Sequence, residues 1–100
     1  MAVDADSLLV KGQRALDDGD LPSALGSFEA ALEREESADL RQLAGGLRYL
    51  DDDLEAAREH WQIAFRLYQQ AGDRRAAARV AADLADLHGS ALGNHAAGVG

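Results

Sequence analysis

One short pattern occurs twice at a fixed distance. Ala24-x-x-x-Phe28-x-x-Ala31 returns 33 residues later as Ala57-x-x-x-Trp61-x-x-Ala64, and Gly12 and Gly45 share the same offset. A period of this length holds one supersecondary unit, and such a unit cannot bury its apolar face alone. The chain must therefore stack its units side by side. Steps of four and three residues put alanine, aromatic and alanine on one face of a helix. The small residues let two helix backbones approach, and the aromatic fills the gap toward the next unit.

Punctuation divides the chain into helices. The Gly-Asp pairs in "DDGDLPSA" (17–24) and "QAGDRRAA" (70–77) each supply a glycine to end one helix and an aspartate to cap the next. Ser37 caps a third helix in "EREESADL", Asp52 and Glu55 have the spacing of a capping box in "LDDDLEAA", and "HGSALGN" at 88–94 marks a last break. The expected helices run over about 4–18, 21–35, 38–50, 54–71, 74–88 and from 94 onward. Each carries an apolar stripe: Leu21, Ala24, Leu25, Phe28, Ala31 and Leu32 in the second; Leu54, Ala57, Trp61, Ala64, Phe65 and Tyr68 in the fourth; Ala77, Val80, Ala81, Leu84 and Leu87 in the fifth. With 21 alanines and only 5% aromatic residues, the composition suits closely packed helices rather than a sheet. Connections this short make neighbouring helices antiparallel, giving an all-α row of hairpins.

These hairpins resemble the tetratricopeptide repeat, a helix–turn–helix unit of about 34 residues. The resemblance implies an array of antiparallel hairpins wound into an alpha-alpha superhelix within a single domain over 1–100. Repeat one covers about 5–36, repeat two about 38–71, and an incomplete third about 73–100, with Ala97 as the alanine of its second helix. The family's aromatic on the first helix is replaced by Ala15 and by Arg48, with Tyr49 adjacent, and its terminal proline by Glu36 and Gln69. A hairpin that stops at "HAAGVG" reads as a fragment of a longer array.

Residues 57–100 are also similar to the helical-repeat region of large bacterial transcriptional regulators, chiefly LuxR-type regulators of actinobacteria. Ala64, Arg66 to Tyr68, Gly72-Asp73, Arg75, Ala77 to Ala82 and Leu84-Ala85 carry that similarity. It implies a sensory or scaffolding repeat domain whose parent protein binds DNA through a separate helix-turn-helix. No residue here is assigned to DNA.

The net charge is -8, with 14 acids against 5 bases over residues 1–57. An acidic field of that size disfavours nucleic acid and favours basic partners or solubility. Arg74, Arg75 and Arg79 interrupt the acidity, but they take the polar side of a helix, where Arg79 and Asp83 can pair one turn apart. The chain has no cysteine, hence no disulfide framework or thiol chemistry, and its start, MAVDADSL, carries acids where a signal peptide carries bases. A cytoplasmic protein with no membrane contact is expected.

No enzyme, cofactor or metal is expected. His60 lies beside Trp61, off the apolar stripe, and reads as a surface or groove residue; His88 and His95 flank a Gly-rich turn without a ligand spacing. Asp51-Asp52-Asp53 lacks the alternation of a calcium loop and suits a helix start. Trp61, Phe65 and Tyr68 fall on the alanine stripe and read as packing rather than a stacking platform for a ligand.

The groove positions implied by the repeat family are Asp6, Leu9, Gln13, Leu16 and Asp17, then Asp39, Gln42, Gly46, Tyr49 and Leu50, with Arg75 and Arg79 on the next helix. The lysine and asparagine clamp of chaperone-binding relatives is absent. The expected function is a protein–protein interaction or scaffold module of a bacterial regulator, offering an acidic, partly apolar groove to a basic peptide. A small-molecule sensor coupled to an output domain, and a self-association domain, stay open as alternatives.

Overall fold

The computed structural model of the protein describes the backbone of residues 4–99 and the side chains of residues 4–87. Among these residues there are five α-helices and no strand: α1 (Ala5–Asp17), α2 (Leu21–Arg34), α3 (Ala38–Leu50), α4 (Leu54–Ala71) and α5 (Arg74–Val99). Asp4, Asp20, Ser37 and Asp53 cap the first four, each side chain accepting a backbone N–H three residues on, and Asp73 accepts the N–H of Ala76 at 3.0 Å. The third turn differs from the expectation by one residue. Asp53, not Asp52, is the cap, and Asp52 stands at φ 62°, as Gly19 and Gly72 stand at φ 76°. The turn needs a left-handed residue before its cap, so Asp52 occupies the place that glycine fills 33 positions earlier.

The break expected over 88–94 does not occur. The backbone stays helical from Arg74 through Val99, so a single helix stands where the start of a third hairpin is expected. Glycine weakens a helix interior by only about 1 kcal/mol relative to alanine, and no proline interrupts this alanine-rich segment. The side chains of His88, His95 and Ala97 lie outside the described residues.

Helix α1 packs on α2, α3 on α4 and α4 on α5, while α2 meets α3 more lightly. Two apolar cores result. Ala24, Leu25, Phe28, Ala31 and Leu32 of α2 meet Leu40, Ala44 and Leu47 of α3, with Leu8, Leu9, Ala15 and Leu16 of α1 against them. Ala57, Trp61, Ala64 and Tyr68 of α4 meet Ala76, Ala77, Val80 and Leu87 of α5. The repeated glycines explain the repeated aromatics. A Cβ on Gly12 would lie 2.6 Å from the Phe28 ring, and one on Gly45 would collide with the Trp61 indole in the same way. Burying each aromatic against such a bare backbone contributes roughly 1.5–3 kcal/mol.

Candidate functional site

Helix α3 turns one stripe toward an open groove, with the buried Leu47 of the first core at its base. Asp39, Gln42, Leu43, Gly46, Leu47 and Leu50 recur at three- and four-residue steps, and with Trp61 of α4 and Asp83 of α5 they line an open groove of about 590 Å³. Its floor is apolar, and its carboxylates, Asp39 and Asp83, come from two different helices. Trp61 is fixed at the floor because its Nε1–H donates to the backbone oxygen of Gln42 at 3.1 Å. Tyr49 lies outside the groove lining but stacks on Trp61, with ring centroids 6.0 Å apart and planes at 28°. At the rim Leu50 is 73% exposed and Tyr49 44%.

The Tyr68 hydroxyl donates to Asp39, and a 3.1 Å contact joins it to Gln42, tying α4 to the groove from behind. Burial, the hydrogen bond to Asp39 and that residue's charge push the phenol up to about 12. Arg79 acts on Tyr68 in the opposite sense, through its charge.

Of the positions expected to form a groove, the structure gathers Asp39, Gln42, Gly46 and Leu50 in one place. Asp6 and Leu9 line a separate cleft of about 180 Å³ with Glu35, Ser37 and Leu40. Gln13 and Asp17 are exposed and hydrogen-bonded to each other at 3.0 Å, while Leu16 packs against the first core. Arg75 and Arg79 are exposed on α5 and do not line the groove. Among the described residues Arg79 and Asp83 form no ion pair; Asp83 turns into the groove instead.

The polar seam between the two hairpins was not foreseen, and His60 corrects the sequence expectation. It is 8% exposed, so the surface alternative fails, while the ring does line a cleft with Glu29, Leu32, Glu33 and Arg41. Its Nε2–H donates to Glu29 of α2 at 2.7 Å, and its Nδ1 accepts from Nη1 of Arg41 at 3.0 Å. Arg48 grips both oxygens of Glu29 through Nε, at 2.9 Å, and Nη2, and lies 3.6 Å from Asp53. Arg41 holds Glu36 by two bonds of 2.8 and 2.9 Å. Burial alone would raise the Glu29 carboxyl; hydrogen bonds from Arg48 and His60, with the charge of Arg48, outweigh it and hold the group below its ordinary value. The bonds from Arg41 do the same for Glu36 against a smaller burial effect.

Two signals for this seam exist in the sequence. Arg48 stands 33 positions after Ala15, a charge where the first repeat has a methyl, and His60 precedes Trp61 where Ser27 precedes Phe28. Among the described residues the seam occurs once. The positions 33 residues after Glu29, Arg41 and Arg48 are Gln62, Arg74 and Ala81, which cannot reproduce it at the α4–α5 joint.

No family model, curated protein or solved structure matches the chain. No helix among the described residues is long and apolar enough to cross a membrane.

Proposed function

We propose that this chain is a tetratricopeptide-like repeat module, a non-enzymatic part of a cytoplasmic bacterial regulator, and that it binds a partner protein or peptide along α3. The observation that carries the reading is the α3 groove: an apolar floor of Leu43, Leu47 and Trp61, with Leu50 at the rim, beside the carboxylates of Asp39 and Asp83. Apolar anchors at helical spacing with flanking positive charge are what such a surface accommodates. The partner class is therefore a basic amphipathic helix. The similarity of residues 57–100 to LuxR-type repeat regions supports the regulator context.

Self-association is the second reading, favoured by the exposure of Tyr49, Leu50 and Leu54 at one end of α3 and the start of α4. Trp61 is the chain's only tryptophan, so its fluorescence reports on the groove directly. Titration with a Lys/Leu amphipathic helical peptide should change that emission, and a Glu/Leu counterpart should not. Gly46→Leu, at a position where an added Cβ meets open space, should keep the fold and abolish the response. An unchanged emission with both peptides, together with a concentration-dependent increase in molecular mass, would favour self-association instead.

A further inference from the structure

We infer that His60 is a proton-sensitive link in the seam between the first two hairpins: neutral His60 couples the Glu36–Arg41 pair to α4, and protonated His60 releases it. The inference concerns the seam alone and does not rest on the groove reading.

The chemistry of the partners fixes the state of the ring. A guanidinium has only donors, so the His60 nitrogen facing Arg41 must be an acceptor, and a carboxylate has only lone pairs, so the nitrogen facing Glu29 must carry hydrogen. The observed arrangement is therefore the neutral Nε2–H tautomer. An unbroken run of hydrogen bonds then passes from Glu36 through Arg41, His60 and Glu29 to Arg48, whose Nη1 lies 3.6 Å from Asp53.

A proton can go only to Nδ1. That turns the acceptor into a donor and places an imidazolium against the guanidinium 3.0 Å away. The Glu29 link survives as a full ion pair, so the run breaks at one place, the Arg41 link. Arg41 loses little by leaving, because its other two bonds both go to Glu36. Every charged group around the ring enters this balance: Glu29 from α2, with Glu33 lining the same cleft; Glu36 from the α2–α3 connection; Arg41 and Arg48 from α3, the latter backed by Asp53; and Glu59 on α4 itself, whose charge reaches Arg41.

Two measurements test this. Nitrogen-15 NMR of the wild-type ring at pH 8 should show hydrogen on Nε2 and a bare Nδ1; hydrogen on Nδ1 would overturn the inference. The chain has no cysteine, so spin labels at Arg34→Cys and Arg58→Cys, both exposed, can report the distance from the end of α2 to α4. Between pH 8 and pH 5 the distance distribution should lengthen or broaden, and should hold still in a His60→Gln background, whose amide donates and accepts without titrating. A distribution indifferent to pH, or one that changes equally with His60→Gln, would refute the link.

Discussion

Gly45 lies beneath the Trp61 indole so closely that a single added carbon would overlap the ring, and Gly12 stands to Phe28 in the same relation. The helix pair in each hairpin is thus spaced by the absence of a side chain. Alanine would improve the intrinsic helix propensity at either site, yet the overlap dominates, because overpacking a closed contact costs about 1–3 kcal/mol. Gly45→Ala and Gly12→Ala should therefore lower the urea midpoint. Gly26→Ala, where a Cβ meets nothing within 4 Å, should raise stability by about 0.5–1 kcal/mol. If Gly45→Ala proved as stable as Gly26→Ala, the close-approach account would fail.

Asp52 holds a left-handed backbone that its counterpart Gly19 adopts without strain. Asp52→Gly should stabilise the protein by about 1 kcal/mol, and Gly72→Ala should destabilise it by a similar amount. Thermal unfolding of the two variants decides this, and midpoints moving in the same direction would contradict it.

Acid should loosen the seam. Glu29 and Glu36 are both held below the ordinary 4.5 in the folded protein. A carboxyl more acidic folded than unfolded contributes stability that is complete above about pH 5 and is lost as pH falls through its folded value. Urea midpoints should fall between pH 7 and pH 3, and Glu29→Gln should flatten that fall while lowering stability at pH 7 by about 2 kcal/mol. A wild-type midpoint constant across this range would show that the seam contributes nothing.

Alkali acts through Tyr68. Tyr68 is raised from 10.0 to about 12, so its contribution is complete below pH 10 and is lost as pH rises through the folded value. Tyr68→Phe should cost about 1 kcal/mol at neutral pH and remove the extra loss of stability above pH 10. Equal alkaline sensitivity of the two proteins would assign the shift to other groups.

Much of this architecture is legible because it is local or periodic. The alternation of Ala24, Phe28 and Ala31 with Ala57, Trp61 and Ala64 announces both cores, and Asp20, Ser37 and Asp73 announce their helix starts. The cap at Asp53 is displaced by one residue because three aspartates in a row offer equivalent side chains, and only the turn's backbone geometry chooses among them. Half of the groove is legible for the same reason, since Asp39, Gln42, Gly46 and Leu50 share one helix. The rest depends on distance in space. His60 reads as a surface or groove residue until Glu29, 31 positions away, meets it, and Asp83 reads as a partner of Arg79 until α3 supplies the other wall of the groove.

In a chain of look-alike hairpins, resemblance is itself a hazard, because any unit can stack on the wrong neighbour or on another molecule. The single seam removes that ambiguity. Were α2 to settle against α5, Glu29 would face Ala81 where Arg48 belongs; were a second molecule's α4 to settle on α3, Arg48 would face Gln62 where Glu29 belongs. Each misplacement strands a charge that the correct order pairs. The hairpins are alike inside and labelled outside, so the order of assembly is encoded in a handful of side chains that neither core requires.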